Sequence, residues 1–129
     1  MGLQFDKLSI LVVEDNLAMR KLIAAVLDTL GVRHISYAED GQKGFEAFFE
    51  NRPDIVLTDW MMEPADGVEL TRTIRNDPHS PNQMVPIIMI TGYNAPSRVI
   101  KARDTGVTEF LVKPFTANDL AKRLSHVIN

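Results

Sequence analysis

Residues 8–15 read Leu-Ser-Ile-Leu-Val-Val-Glu-Asp, an apolar run rich in branched side chains that is too short for a helix and stops abruptly on two carboxylates. It reads as a buried strand with Glu14 and Asp15 at its C-terminal end. Immediately afterwards the period changes. Asn16 stands where a helix N-cap is expected, and Met19, Leu22, Ile23, Val26, Leu27 and Leu30 follow 3-4 spacing up to a stop at Gly31. A strand leading into a helix is the unit from which the rest of the chain can be read.

The unit recurs four times. His34 to Ala38 is a weaker strand, followed by a helix over 41–51 whose inner face should be Phe45, Phe48 and Phe49. Asp54 to Thr58 is a third strand ending at Asp59, and Val68, Leu70 and Ile74 mark a helix after Asp66-Gly67. Val85 to Ile90 is the most apolar strand and ends at Thr91. A short helix over 96–104 stops at Gly106, Thr108 to Val112 forms a fifth strand ending at Lys113-Pro114, and a helix from Thr116 closes the chain. Nearly all-apolar strands alternating with helices predict an α/β fold: a five-stranded parallel sheet with helices on both faces and right-handed crossovers.

Composition agrees with a single domain over residues 1–129, since 45% hydrophobic and 24% charged positions suit one ordinary core. The absence of cysteine excludes disulfides, thiolate metal sites and a cysteine nucleophile. A net charge of −3 is too acidic for a domain that grips nucleic acid with its whole surface. No apolar run approaches a membrane span and no signal segment opens the chain, so a cytoplasmic protein is expected.

In an open parallel sheet the C-terminal strand ends line one edge, where ligands bind. Here that edge carries Glu14 and Asp15, then Asp59, Thr91 and Lys113. Crowded carboxylates repel, and a hard divalent cation such as Mg²⁺ is the usual reason for them to persist. Lys113 and Thr91 add donors for phosphoryl oxygens, and Asp59 sits centrally enough to be a nucleophile. Each residue alone has a bland explanation, because loops are polar; four strand ends behaving alike do not. His34, His79 and His126 lack metal-ligand spacing and read as surface residues, while Met19, Met84 and Met89 read as core filler.

The segments Val12-Val13-Glu14-Asp15-Asn16, Leu57-Thr58-Asp59-Trp60-Met61-Met62 with Asp66-Gly67, Ile90-Thr91-Gly92 and Phe110-Leu111-Val112-Lys113-Pro114 resemble the receiver domain of two-component response regulators. The resemblance covers essentially the whole chain and is closest to stand-alone, CheY-like regulators. It implies the CheY/flavodoxin-like strand order 2-1-3-4-5. It also implies that Asp59 accepts a phosphoryl group from a sensor histidine kinase or phosphotransfer protein. Asp15, Asp59 and the Met61 carbonyl would hold Mg²⁺, with Glu14 helping through water. Thr91 and Phe110 would be the switch pair, Lys113 would meet the phosphoryl oxygens, and the Lys113-Pro114 peptide would be cis. Met61 and Tyr93 would tune hydrolysis.

On this reading the chain is not an enzyme for an external substrate; it catalyses its own phosphorylation and slow dephosphorylation. It signals through a partner face on the fourth helix, fifth strand and fifth helix, with no nucleic acid or membrane involved. Departures are Glu14 for the commoner Asp, Phe110 without a tyrosine hydroxyl, and Glu63 before Pro64, which should alter the loop over the site. The alternatives are a receiver cut from a larger regulator with an output domain, and a flavodoxin-like cofactor protein. Glu14 and Asp15 would repel the phosphate of a flavin. A phosphohydrolase would need a further acid or base.

Overall fold

The structure, a computed structural model, describes residues 5–92 and 96–128. A short 3₁₀ turn, Phe5–Lys7, precedes five strands and five helices in strict alternation: β1 Ser9–Val13, α1 Leu17–Thr29, β2 His34–Ala38, α2 Gly41–Asn51, β3 Ile55–Asp59, α3 Gly67–Asn76, β4 Ile87–Thr91, α4 Pro96–Thr105, β5 Glu109–Val112 and α5 Ala117–Ile128. The strands form one parallel sheet in the order β2-β1-β3-β4-β5, as the resemblance implied.

Alternation along the strands divides the core between the two faces. Ile10, Val12, Ile55, Leu57, Ile88, Ile90 and Leu111 pack with Ile23 and Leu27 of α1 and with Leu120 and Leu124 of α5. The intervening residues Leu11, Val13, Val56 and Ile87 meet Phe48 of α2 and Leu70 and Ile74 of α3. A smaller cluster of Trp60, Val68, Met89, Ala102 and Val107 lies under α4. No helix among the described residues is long and apolar enough to cross a membrane.

The helices begin where their caps say they should. Asn16 accepts from Met19 N at 2.8 Å, Asp40 from Lys43 N at 2.9 Å, and Asp66 and Glu69 form a reciprocal capping box. Thr116 and Asp119 bond each other's main chain in the same way ahead of α5.

Several packing expectations need correction. Phe49 is 47% exposed, because the inner stripe of α2 runs Gly41, Gly44, Phe48 and the next residue turns about 100° away. Leu22 faces outward for the same reason on α1. Met84 is 83% exposed, since it lies in a turn where its N–H bonds Asn82 Oδ1 at 3.0 Å, and β4 begins only at Ile87. Met89 is fully buried and Met19 packs partly against the core, while all three histidines are exposed.

At the N-terminal edge of the sheet Arg75, in the last turn of α3, uses all its guanidinium donors. Nε and Nη2 bond Gly106 O at 3.1 and 2.8 Å, Nη1 bonds Gln83 O and Val85 O at 2.9 and 2.7 Å, and Nη2 reaches Thr108 Oγ1 at 3.4 Å. Burial lowers the Arg75 pKa from its ordinary value. Gly106 has φ +120°, and a Cβ there would strike the Arg75 side chain at 2.9 Å, so both backbone and space require glycine.

Candidate functional site

Parallel register brings the opposite strand ends level. Val13 pairs with Thr58 and Asp59 with Ile90, while Lys113 N bonds Thr91 O at 2.8 Å just beyond β5. The chain therefore delivers Glu14, Asp15, Asp59 and Lys113 to one place. The three carboxylates each offer an oxygen, all within 4.8 Å of one another. Lys113 Nζ lies 3.0 Å from Asp59 Oδ1 and 3.7 Å from Glu14 Oε1.

Glu14 is only 1% exposed. Its Oε2 accepts from Asn16 N at 3.1 Å, whereas Oε1 is buried with no hydrogen-bond donor among the described residues. Burial raises its pKa from the usual 4.5 to about 7; the Asn16 N–H and Lys113 oppose that rise, and Asp59 and Asp15 add to it. Three carboxylates with one ammonium, and a buried carboxylate oxygen lacking a donor, form an oxygen-rich site of net negative charge. Such a set could hold a hard divalent cation.

Asp15 is exposed and opens onto a cleft of about 610 Å³, also lined by Met61, Met62, Glu63, Pro64, Asp66 and Glu69. Met61 is 64% exposed, on the loop that leaves β3. Both Glu63-Pro64 and Lys113-Pro114 are cis. Thr91 is buried at the end of β4, and Phe110, paired with Met89, sits half-buried against the Trp60 cluster. Tyr93 lies outside the described residues.

Sequence reasoning missed two supports. Gly67 opens α3 against β3: its N–H bonds Trp60 O at 2.9 Å, and a Cβ would collide with the Asp59 carbonyl and with Met89 Sδ at 2.8 Å. The Asp66-Gly67 pair signals a helix start, but only the fold brings it against Asp59. Arg20 Nη1 bonds Glu14 O at 2.9 Å, and nothing in the spacing of an α1 arginine announces that.

A family model for the response regulator receiver domain matches residues 10–125. The chain belongs to that family. The receiver is 35% identical over 122 residues to chemotaxis protein CheY1 of Helicobacter pylori, covering 94% of this chain and 97% of that protein. It is 31% identical over 120 residues to the phosphate regulon transcriptional regulatory protein PhoB of Pseudomonas aeruginosa, covering 93% of this chain; it spans only 51% of that relative, about half its length. Its fold superposes with a TM-score of 0.83 on the receiver domain of sensor histidine kinase PA1611 from P. aeruginosa PAO1, 30% identical over 94% of this chain and 97% of that one. That structure has a magnesium ion coordinated in its active site cleft.

Proposed function

We propose that this receiver is a phosphorylation-driven switch in which Asp59 takes a phosphoryl group from a phosphohistidine on a sensor kinase or phosphotransfer protein. The observation that carries the reading is the approach of Lys113 to Asp59 beside Glu14 and Asp15. An Asp59 oxygen forms the new O–P bond as the N–P bond of the donor breaks, and the donor ring keeps the electron pair of that bond. Lys113 offers an ammonium to the oxygens of the arriving group, and Thr91 a hydroxyl at the neighbouring strand end. Asp15, Asp59 and the Met61 carbonyl would hold Mg²⁺, with Glu14 behind them. When bound, the ion neutralises charge that develops on the transferring group.

Output follows from the same geometry. Thr91 ends β4 opposite Val112, and Phe110, two residues earlier on the same adjacent strand, packs against the cluster that includes Ala102 of α4. A rearrangement there alters the face of α4, β5 and α5, where Val112 is exposed beside Lys122 and Arg123 of α5 to meet a protein partner. A regulator acting as this domain alone is the reading we favour; a place within a longer regulator, as in PhoB, is the alternative. Both work as phosphoacceptors in the cytoplasm rather than as enzymes for outside substrates.

Incubation with acetyl phosphate and Mg²⁺ should add one phosphoryl group by mass spectrometry, and none in Asp59→Asn. Modification that survives in that variant overturns the assignment.

A further inference from the structure

We propose that Arg20 is a positioning residue for the cation site, holding the peptide that joins Glu14 to Asp15. The inference rests on the metal reading above and extends it to a residue outside the proposed ligand set. Arg20 follows the Asn16 N-cap by four residues, and its own N–H bonds Asn16 O at 2.9 Å. Helical side chains lean toward the N-terminus, so this position reaches back over the turn between β1 and α1. Nη1 ends 2.9 Å from the Glu14 carbonyl.

That carbonyl belongs to the planar unit whose other end is the Asp15 nitrogen, so fixing its direction fixes how both acids leave the backbone. The neighbouring constraints point the same way. Glu14 N bonds Ala38 O at 3.0 Å on one side, and Asn16 N bonds Glu14 Oε2 on the other. Arg20 closes the remaining side of the turn. Its guanidinium makes no ion pair with any carboxylate among the described residues, and a cation near a helix N-terminus opposes the helix dipole. Attraction to an acidic partner therefore does not account for its position, whereas the carbonyl contact does.

Charge and position give opposite signs, which makes the proposal testable. If Arg20 acted only as a nearby positive charge, removing it would tighten binding of a divalent cation. If it positions the two acids, removing it weakens binding, and by about tenfold if it behaves as outer-shell partners generally do. Calorimetric titration of Mg²⁺ at pH 8 into wild type, Asp15→Asn, Arg20→Met and Arg20→Lys separates the cases. Wild type should bind and Asp15→Asn should not; failure there overturns the metal site itself. With that satisfied, Arg20→Met should raise the dissociation constant about tenfold, and the deficit should persist at high salt, where a charge effect is screened. Arg20→Lys keeps the charge and loses the planar fork, so it should fall between the two. Unchanged or tighter binding in Arg20→Met overturns the proposal. Should that variant not give a folded circular dichroism spectrum, wild-type affinity in Arg20→Lys overturns it instead.

Discussion

Glu14 holds its proton to about pH 7 in the folded chain and to about 4.5 when unfolded, because burial outweighs the Asn16 and Lys113 contacts. Between those values only the folded state keeps the proton. Stability of the metal-free protein should therefore fall as pH rises through this window, by up to about 3 kcal/mol from this group. Urea titrations at pH 5 and 8 should show that fall in wild type and lose this component in Glu14→Gln. Mg²⁺ bound as proposed would compete with the same proton, so its affinity should drop about tenfold from pH 8 to pH 6. We expect a second residue-scale effect at Met61. Its exposed thioether, a weak acceptor, would orient a water behind phosphorus less well than an amide. Met61→Asn should hydrolyse the acyl phosphate roughly tenfold faster, for about 1–2 kcal/mol gained in the transition state. Decay of phosphorylated protein at matched Mg²⁺ measures it, and equal or slower decay would assign the water to another group.

Among the elements, α3 closes directly on the site, because Gly67 leaves no room between its first turn, the Asp59 carbonyl and Met89. Gly67→Ala should push the helix outward and cost about 1–3 kcal/mol, read from the urea midpoint. Strand ends were legible in the sequence because each apolar run stops on a polar residue, and parallel topology then sends Glu14, Asp15, Asp59 and Lys113 to one edge. The β4 start at Ile87 and the outward turn of Phe49 were not. Apolar character alone cannot distinguish a loop residue such as Met84 from a strand residue, nor show that glycine at 44 lets α2 close on Val13 of β1 while glycine at 41 lies against the Ala65 carbonyl. Side-chain contacts with main-chain carbonyls, as at Arg20 and Arg75, leave no periodic trace at all.

At the scale of the whole molecule the two ends of the sheet are built from different interactions. The C-terminal edge is an arrangement of charges around Lys113, whereas the opposite edge is tied together by Arg75, whose partners are all uncharged oxygens. Arg75→Met would strip the Gly106, Gln83 and Val85 carbonyls of a donor and should cost about 2–3 kcal/mol, visible as a lowered thermal midpoint. Because no partner of Arg75 titrates and a guanidinium stays protonated, that clamp is deaf to acidity, ionic strength and magnesium. Hydrogen exchange should register the asymmetry: adding Mg²⁺ slows the amides around 14–16 and 59–61 and leaves those around 85–87 and 106–108 at their former rates. A signal entering at one edge thus has a stationary frame against which to move.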